Sequence, residues 1–298
     1  MIGKVHYTRC PVCSSSDIAR FFSAKDYTVS GEKFEIFQCN DCRLRFTQDP
    51  PDAASISRYY KSQEYISHTD TSKGLINKLY RSVRKNALKQ KRRLVERETG
   101  IKQGRILEVG SGTGSFAAEM KNAGWQVTGL EPDADARRVA EEVNAIKLLQ
   151  ADELFKLSPG SYDVIALWHV LEHVHELSAY LKQFKALLKE NGKLIVAVPN
   201  YPSLDATVYK QYWAGYDVPR HLYHFSPQSI QKLMVKEGLK VIGIKPMWYD
   251  SFYVSLLSSK YKNGRTNWPA ALWTGLRSNI QAIRNKEKCS SLIYIISK

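Results

Sequence analysis

Arg105-Ile106-Leu107-Glu108-Val109 runs straight into Gly110-Ser111-Gly112-Thr113-Gly114, and Ser115 to Ala123 then reads as a helix that stops at Gly124. A β-rich segment, a glycine loop and a helix start in succession make a ligand cradle. Glycine lets the main chain approach a ligand closely, and the free amides of the first helical turn point outward. Trp125 to Leu130 reads as the next strand and ends at Glu131-Pro132-Asp133. A carboxylate about 20 residues past the loop is placed to accept hydrogen bonds from two ribose hydroxyls. Glycine triplets alone are weak signals. This one gains force from lying between strand and helix, with Glu131 closing the following strand. Pyrophosphate binders carry G-x-G-x-x-G and a second mononucleotide half. Here the spacing is G-x-G-x-G, and Glu108 beside it would repel a pyrophosphate but suit a ligand with a cationic amino group.

Further motifs follow in order. Leu107 to Gly114, Leu130-Glu131-Pro132, Gln150-Ala151-Asp152, Trp168-His169-Val170-Leu171-Glu172-His173-Val174 and Gly192 to Asn200 resemble the signature of class I S-adenosylmethionine-dependent methyltransferases. Over residues 100–245 this resemblance implies an α/β, Rossmann-like fold, a seven-stranded sheet with helices on both faces. It implies a cofactor site of Glu108, Gly110, Ser111, Gly112, Gly114, Glu131, Asp152 and Trp168. Glu108, Gly110 and Gly112 would hold the methionine moiety, Glu131 the ribose and Asp152 the adenine amino group. Strands are expected near 105–109, 125–130, 146–149, 162–168, 194–199, 239–245 and 291–296, with helices near 133–143 and 176–190. Ser226-Pro227 is an N-cap with proline at the first helical position, and Gly238 ends that helix. The seventh strand of class I enzymes inserts antiparallel between the fifth and sixth.

Cys10-Pro11-Val12-Cys13 and Cys39-Asn40-Asp41-Cys42 are two C-x-x-C pairs. Cys10, Cys13, Cys39 and Cys42 supply the four thiolates of a closed tetrahedral Zn²⁺ site, which is structural because no coordination position stays open. The ordinary alternatives, a dithiol redox pair or unrelated thiols, fit less well. A redox site uses one C-x-x-C beside a βαβ unit. So small a module has little core, and metal binding would supply its stability. Cys289 reads as buried packing. The expected organisation is a zinc-ribbon-like module at 1–50, a helical connector or lid at 51–100, and the methyltransferase domain at 101–298, with cap insertions near 200–225 and 247–289. Bacterial methyltransferases with an N-terminal zinc-binding region, some acting on sugars, carry a stretch similar to Trp213 to Pro227.

The net charge of +15 is unevenly spread. Residues 99–200 hold 11 basic and 13 acidic side chains, whereas 73–98 hold 10 and 2, and 201–298 hold 14 and 5. From Leu75 to Glu98 apolar residues recur at helical spacing with basic residues between them. This helix reads as a connector with a solvated basic face; the sharper alternative is an anion-binding face for nucleic acid or phospholipid.

Methyl transfer from a sulfonium is an in-line displacement in which positioning supplies much of the rate, with a base added where the acceptor is a hydroxyl. Candidates for catalysis are His169 and His173, after the fourth strand, and His221 in the 213–224 stretch, which is expected to form a lid over the acceptor. The residues 169–173 also spell H-x-x-E-H, a zinc-protease pattern that requires a long helix. Glu172 and His173 could also hold a divalent cation, as in ubiquinone-pathway O-methyltransferases with a similar Leu-Glu-His-Val, or His173 could simply be a hydrogen-bonded structural residue. Between Met247 and Cys289 an aromatic-rich insertion suggests two helices, read as a packed cap over the sheet. The sharper reading is a surface for a lipid-linked acceptor, a peripheral membrane contact or a second subunit in a homodimer.

The leading functional expectation is methyl transfer to a small, anionic acceptor such as a sugar nucleotide or lipid-linked glycan precursor. An RNA methyltransferase is the alternative, weakened by the lack of an Asn/Asp-Pro-Pro-Tyr motif. A non-catalytic S-adenosylmethionine-binding protein is the third. No apolar leader follows Met1 and no stretch is long and apolar enough to span a membrane, so a cytoplasmic protein is expected.

Overall fold

The computed structural model describes residues 3–60 and 75–298, the side chains of residues 75–84 excepted. The middle of the expected 51–100 connector lies outside the described residues. The chain forms two compact units. One comprises the described parts of Met1–Thr69 with Leu171–Leu177 and Ala197–Ile293; the other comprises those of Asp70–Val170 with Ser178–Val196 and Tyr294–Lys298.

In the first unit, β1 (Ile18–Lys25), β2 (Lys33–Cys39) and β3 (Arg45–Thr47) form an antiparallel meander. Its fourth strand comes from far along the chain: β8 (Tyr223–His224) pairs antiparallel with β3. Buried Phe34, Ile36, Tyr59, Tyr201, Trp213 and Tyr216 share a core cluster, so the 213–224 stretch packs as core.

The second sheet has six strands in the order β5-β4-β6-β7-β10-β9, from β4 (Arg105–Val109), β5 (Gln126–Leu130), β6 (Tyr162–Trp168), β7 (Leu188–Pro199), β9 (Lys240–Pro246) and β10 (Ser291–Ser297). β4 pairs in parallel with β5 and β6. Val164 to Leu167 of β6 are fully buried, the continuous apolar run of a strand covered on both faces. The last strand in sequence, β10, lies between β7 and β9, as expected. The count is six, not the seven expected. Residues 146–149 approach β5 only through one bridge, Leu130 to Leu149, and are too short to build a ladder.

Helix α1 (Leu75–Thr99) precedes the sheet. α2 (Ser115–Asn122), α3 (Ala134–Asn144) and α4 (Leu177–Leu187) alternate with its strands. Asp133 caps α3 by accepting from the Ala136 amide at 2.8 Å. After the short α5 (Leu204–Tyr209), α6 (Pro227–Lys236) begins with a Ser226–Ser229 capping box and proline in its first turn. The 247–289 insertion is a helical hairpin, α7 (Asp250–Asn263) and α8 (Trp268–Arg284). Among the described residues, no helix is long and apolar enough to cross a membrane.

Candidate functional site

The glycine loop occupies the turn between β4 and α2. Gly110, Gly112 and Gly114 all have positive φ, at 69°, 53° and 74°. At Gly110 a side chain would strike Val170, whose Cγ2 lies 2.4 Å from the Cβ position, while Gly112 faces open space, leaving its main chain approachable. The Ser111 hydroxyl donates to the Glu108 carbonyl at 3.2 Å. Glu131 folds back onto the loop: its Oε2 accepts from the Gly112 amide at 2.7 Å, its Oε1 from the Asp133 amide at 2.9 Å. Burial raises the Glu131 pKa, and those two amides oppose it.

Glu108 is buried in the apolar strand β4, and its Oε2 has no hydrogen-bond partner. Burial drives its pKa up to about 8, with the Lys91 ammonium opposing. A buried carboxylate without its full complement of donors is costly, so this position suits an incoming cation. Trp168 packs edge-on against Phe116 at 5.3 Å, and the Lys91 ammonium stands 4.5 Å from its ring centroid. Asp152 is exposed in the first turn of a short 3₁₀ helix, Ala151–Lys156.

A second cluster is centred on Glu172, His173 and His221 of the first unit. Leu171–His173 is a single 3₁₀ turn, not the long helix that a protease H-x-x-E-H requires. His169, just before it, has φ of 59°, so it turns the chain instead of continuing β6. His173 Nδ1 lies 3.0 Å from the Arg220 carbonyl and 3.0 Å from the Tyr60 hydroxyl. His221 Nδ1 lies 2.9 Å from the Gly215 carbonyl. A carbonyl only accepts, so both rings carry their proton on Nδ1, and each neutral ring keeps a lone pair on Nε2. Burial lowers the His173 pKa to about 4; His221 adds to this, while Glu172 and Asp217 oppose it. Glu172 is fully buried, with Oε1 4.0 Å from His221 Nε2. One donor atom each from Glu172, His173 and His221 falls within 4.8 Å of the others.

Arg220 holds this cluster from behind. It is 1% exposed and donates to Asp217 at 2.6 and 2.9 Å, to Asp26 at 3.0 Å and to the Tyr59 carbonyl at 2.8 Å. Burial alone would raise both carboxylates, yet Arg220 and, at Asp26, the Ser30 amide keep them below the usual range. Thr47 donates its one hydroxyl proton to the His221 carbonyl at 2.7 Å, so the His224 Nε2 at 3.3 Å must be the donor to Thr47. His224 Nδ1 is then a bare lone pair, and burial keeps this ring well below its ordinary pKa.

The family model described as a methyltransferase domain matches residues 79–244. The chain belongs to this methyltransferase family. Three ubiquinone biosynthesis O-methyltransferases are similar to it. That of Xanthomonas euvesicatoria is 27% identical over 160 residues, 49% of this chain and 66% of the relative. The mitochondrial one of Rattus norvegicus is 23% identical over 165 residues, 50% and 48%. That of Sodalis glossinidius is 32% identical over 114 residues, 36% and 46%. The chain thus spans about half to two thirds of the length of these curated relatives. Two solved structures share the fold. The magnesium protoporphyrin IX methyltransferase of Synechocystis aligns at TM-score 0.52 and 17% identity, over 83% of this chain and all of that one. A methyltransferase from Archaeoglobus fulgidus aligns at 0.50 and 18%, over 72% and 94%.

The N-terminal cysteines of the chain form two matched knuckles. The Cys10 amide donates to the Ser15 carbonyl and the Ser14 amide to the Cys10 carbonyl; Cys39 repeats this with Leu44 and Arg43. Ser14 and Arg43 share a left-handed conformation, at φ of 64° and 60°. Cys10–Cys42 and Cys13–Cys39 sulfurs are 3.5 Å apart, all four within 4.8 Å and none in a disulfide. Sulfurs about 2.3 Å from a central tetrahedral ion would be spaced like this, so the donor set fits Zn²⁺. The Cys42 thiol beside it, aided by the Cys13 and Val12 amides and against burial, pulls Cys10 down to about 5. Cys289 is buried packing, as expected.

The structure therefore joins His173 and His221, and leaves His169 on a turn. Sequence reasoning missed Tyr60, Asp26 and Thr47. A buried Arg220 signals that carboxylates must be nearby, but not which ones.

Proposed function

We propose that this chain transfers the methyl group of S-adenosylmethionine to a hydroxyl of a small anionic molecule. The observation that carries the reading is Glu108, a buried carboxylate with an unpartnered oxygen beside a loop of left-handed glycines. A cationic amino group would supply its missing partner, and Gly112, which faces open space, would let the same ligand approach the main chain, with Gly110, Ser111 and Gly114 shaping the turn around it. Glu131 would exchange its amide contacts for ribose hydroxyls, with Asp152 and Trp168 toward the adenine and the reacting end. When bound, S-adenosylmethionine supplies an activated methyl electrophile. The chain's own task is then to orient the acceptor and take up its proton. His173 Nε2 is suited to that proton, since its Nδ1 is committed to the Arg220 carbonyl. The charges of Glu172 and Asp217 favour the imidazolium that results. His221 would share this role.

O-Methylation is supported by the names of the ubiquinone-pathway relatives, and a phosphorylated acceptor, such as a sugar nucleotide or lipid-linked glycan precursor, by the basic charge of residues 73–98 and 201–298. The four cysteines would hold a structural Zn²⁺. A second reading rests on the converging donors of Glu172, His173 and His221: they would bind a divalent cation that polarises the acceptor oxygen. Activity abolished by chelation and restored by Mg²⁺ favours this second reading over a histidine base.

Calorimetric titration with S-adenosylmethionine tests the first step. Binding to the native chain that is lost in Glu131→Ala supports it, and no binding to the native chain ends it. Labelled methyl transfer to phosphosugars, lipid-linked glycans or RNA then selects the acceptor.

A further inference from the structure

The hairpin of α7 and α8 is packed inside out. The face of α8 that is buried consists of small residues, Ala271, Thr274, Gly275, Ser278 and Ala282. A side chain at Gly275 would meet Phe252 of α7 at 2.8 Å, so the two helices approach closely. The buried residues of α7 are small as well: Ser251, Ser255, Ser258 and Ser259. The large apolar side chains of α8 point the other way. Trp268, Leu272, Trp273, Leu276, Ile280 and Ile283 are exposed, from 42% at Leu276 to 74% at Ile283.

At about 100° per residue these six side chains sweep an arc of roughly 140° on the helix surface. Arg277 and Arg284, both exposed, fall on the edge of that arc, about 20–40° beyond Trp273. Exposed Lys262 and Arg265 precede the helix and exposed Lys286 follows it. Residues 250–288 contain only two acids, Asp250 and Glu287. Solitary exposed apolar residues need no explanation, but a continuous helical stripe of them does.

We propose that α8 lies flat on an anionic lipid surface, its apolar stripe entering the boundary between headgroups and acyl chains. Charge complementarity selects this occupant: two tryptophans and four aliphatic side chains rimmed by arginine and lysine match a negatively charged bilayer. The helix lies on the membrane without spanning it. This attachment is independent of the methyl-transfer reading and would hold for a chain that binds no cofactor.

The full chain is sedimented with vesicles of phosphatidylglycerol mixed with phosphatidylcholine, and with vesicles of phosphatidylcholine alone. The expected result is pelleting with the anionic vesicles, weakened by salt, with a blue shift of tryptophan emission. Leu276→Glu/Ile280→Glu/Ile283→Glu should lower the partition coefficient at least about tenfold, since three apolar side chains leave the lipid. Arg277→Glu/Arg284→Glu should weaken pelleting with the anionic vesicles specifically. A native chain that stays in the supernatant with anionic vesicles overturns the proposal, whether or not the variants fold. So does a native dimer that the triple substitution converts to a monomer without any vesicle binding, which would make the stripe a contact between two copies.

Discussion

His173 and His221 stand edge to face, their ring centroids 4.6 Å apart and their planes at 80°. With each Nδ1 held by a main-chain carbonyl, both rings are fixed in tautomer and orientation without a carboxylate partner on that nitrogen. Replacing His173 by Ala should reduce methyl transfer by about 10²–10⁴-fold if its Nε2 takes the acceptor proton. Cofactor affinity, measured by calorimetry, should change little.

The depressed pKa values of His173 and His224 link folding to pH. Each ring takes up a proton more readily unfolded than folded, so the unfolded chain holds more protons below the ordinary histidine pKa near 6.5. Stability is therefore complete above about 6.5 and falls with acidification, by about 1.4 kcal/mol per pH unit for each group. For His173 the loss ends near pH 4. Urea denaturation across this range should show the slope, and His224→Phe should reduce it.

Removing Arg220 strands the carboxylates of Asp26 and Asp217. Arg220→Ala should destabilise the chain by about 3–5 kcal/mol, as expected when one partner of a buried ion pair is deleted. Arg220→Lys should recover only part of this, because an ammonium cannot reproduce the paired contacts to Asp217. Chemical denaturation measures both.

Glu108 predicts a proton coupled to cofactor binding. With its pKa raised to about 8 the free carboxyl is mostly protonated at pH 7, and pairing with an ammonium ionises it. One proton should be released per ligand bound, and affinity should rise with pH up to about 8. Calorimetry in buffers of different ionisation enthalpy reads this directly. Glu108→Gln should abolish the release.

Metal analysis of the purified chain should find one zinc per molecule. Chelation or Cys39→Ser should unravel residues 3–50, seen as protease cleavage there, because a metal bound by the four cysteines would supply this module's folding energy.

What the sequence made legible was local. The glycine loop, Glu131 and the paired knuckles are fixed by spacings of a few residues, and the structure places the loop between β4 and α2, Glu131 after β5 and the four sulfurs together. The third strand was misjudged because 146–149 has strand composition but only one bridge to its neighbour. The Arg220 network escaped because Asp26 lies 194 positions away. In α8 the periodic apolar residues implied a core-facing side, yet the packed face is the one with small residues, a choice that depends on how closely α7 approaches. The apolar spacing of Leu272, Leu276 and Ile280 could not distinguish the two.

The pairing of Arg45 with His224 sets an order of events during synthesis. A ribosome adding about 5–20 residues per second needs roughly ten to thirty-five seconds to travel from one to the other. Throughout that time β3 lacks the partner on its far edge, and the cysteine knuckles can form before the four-stranded sheet is complete. The four cysteines would come together early and His221 would be placed late, so a nascent chain released before residue 224 would carry the cysteine cluster but no second cluster.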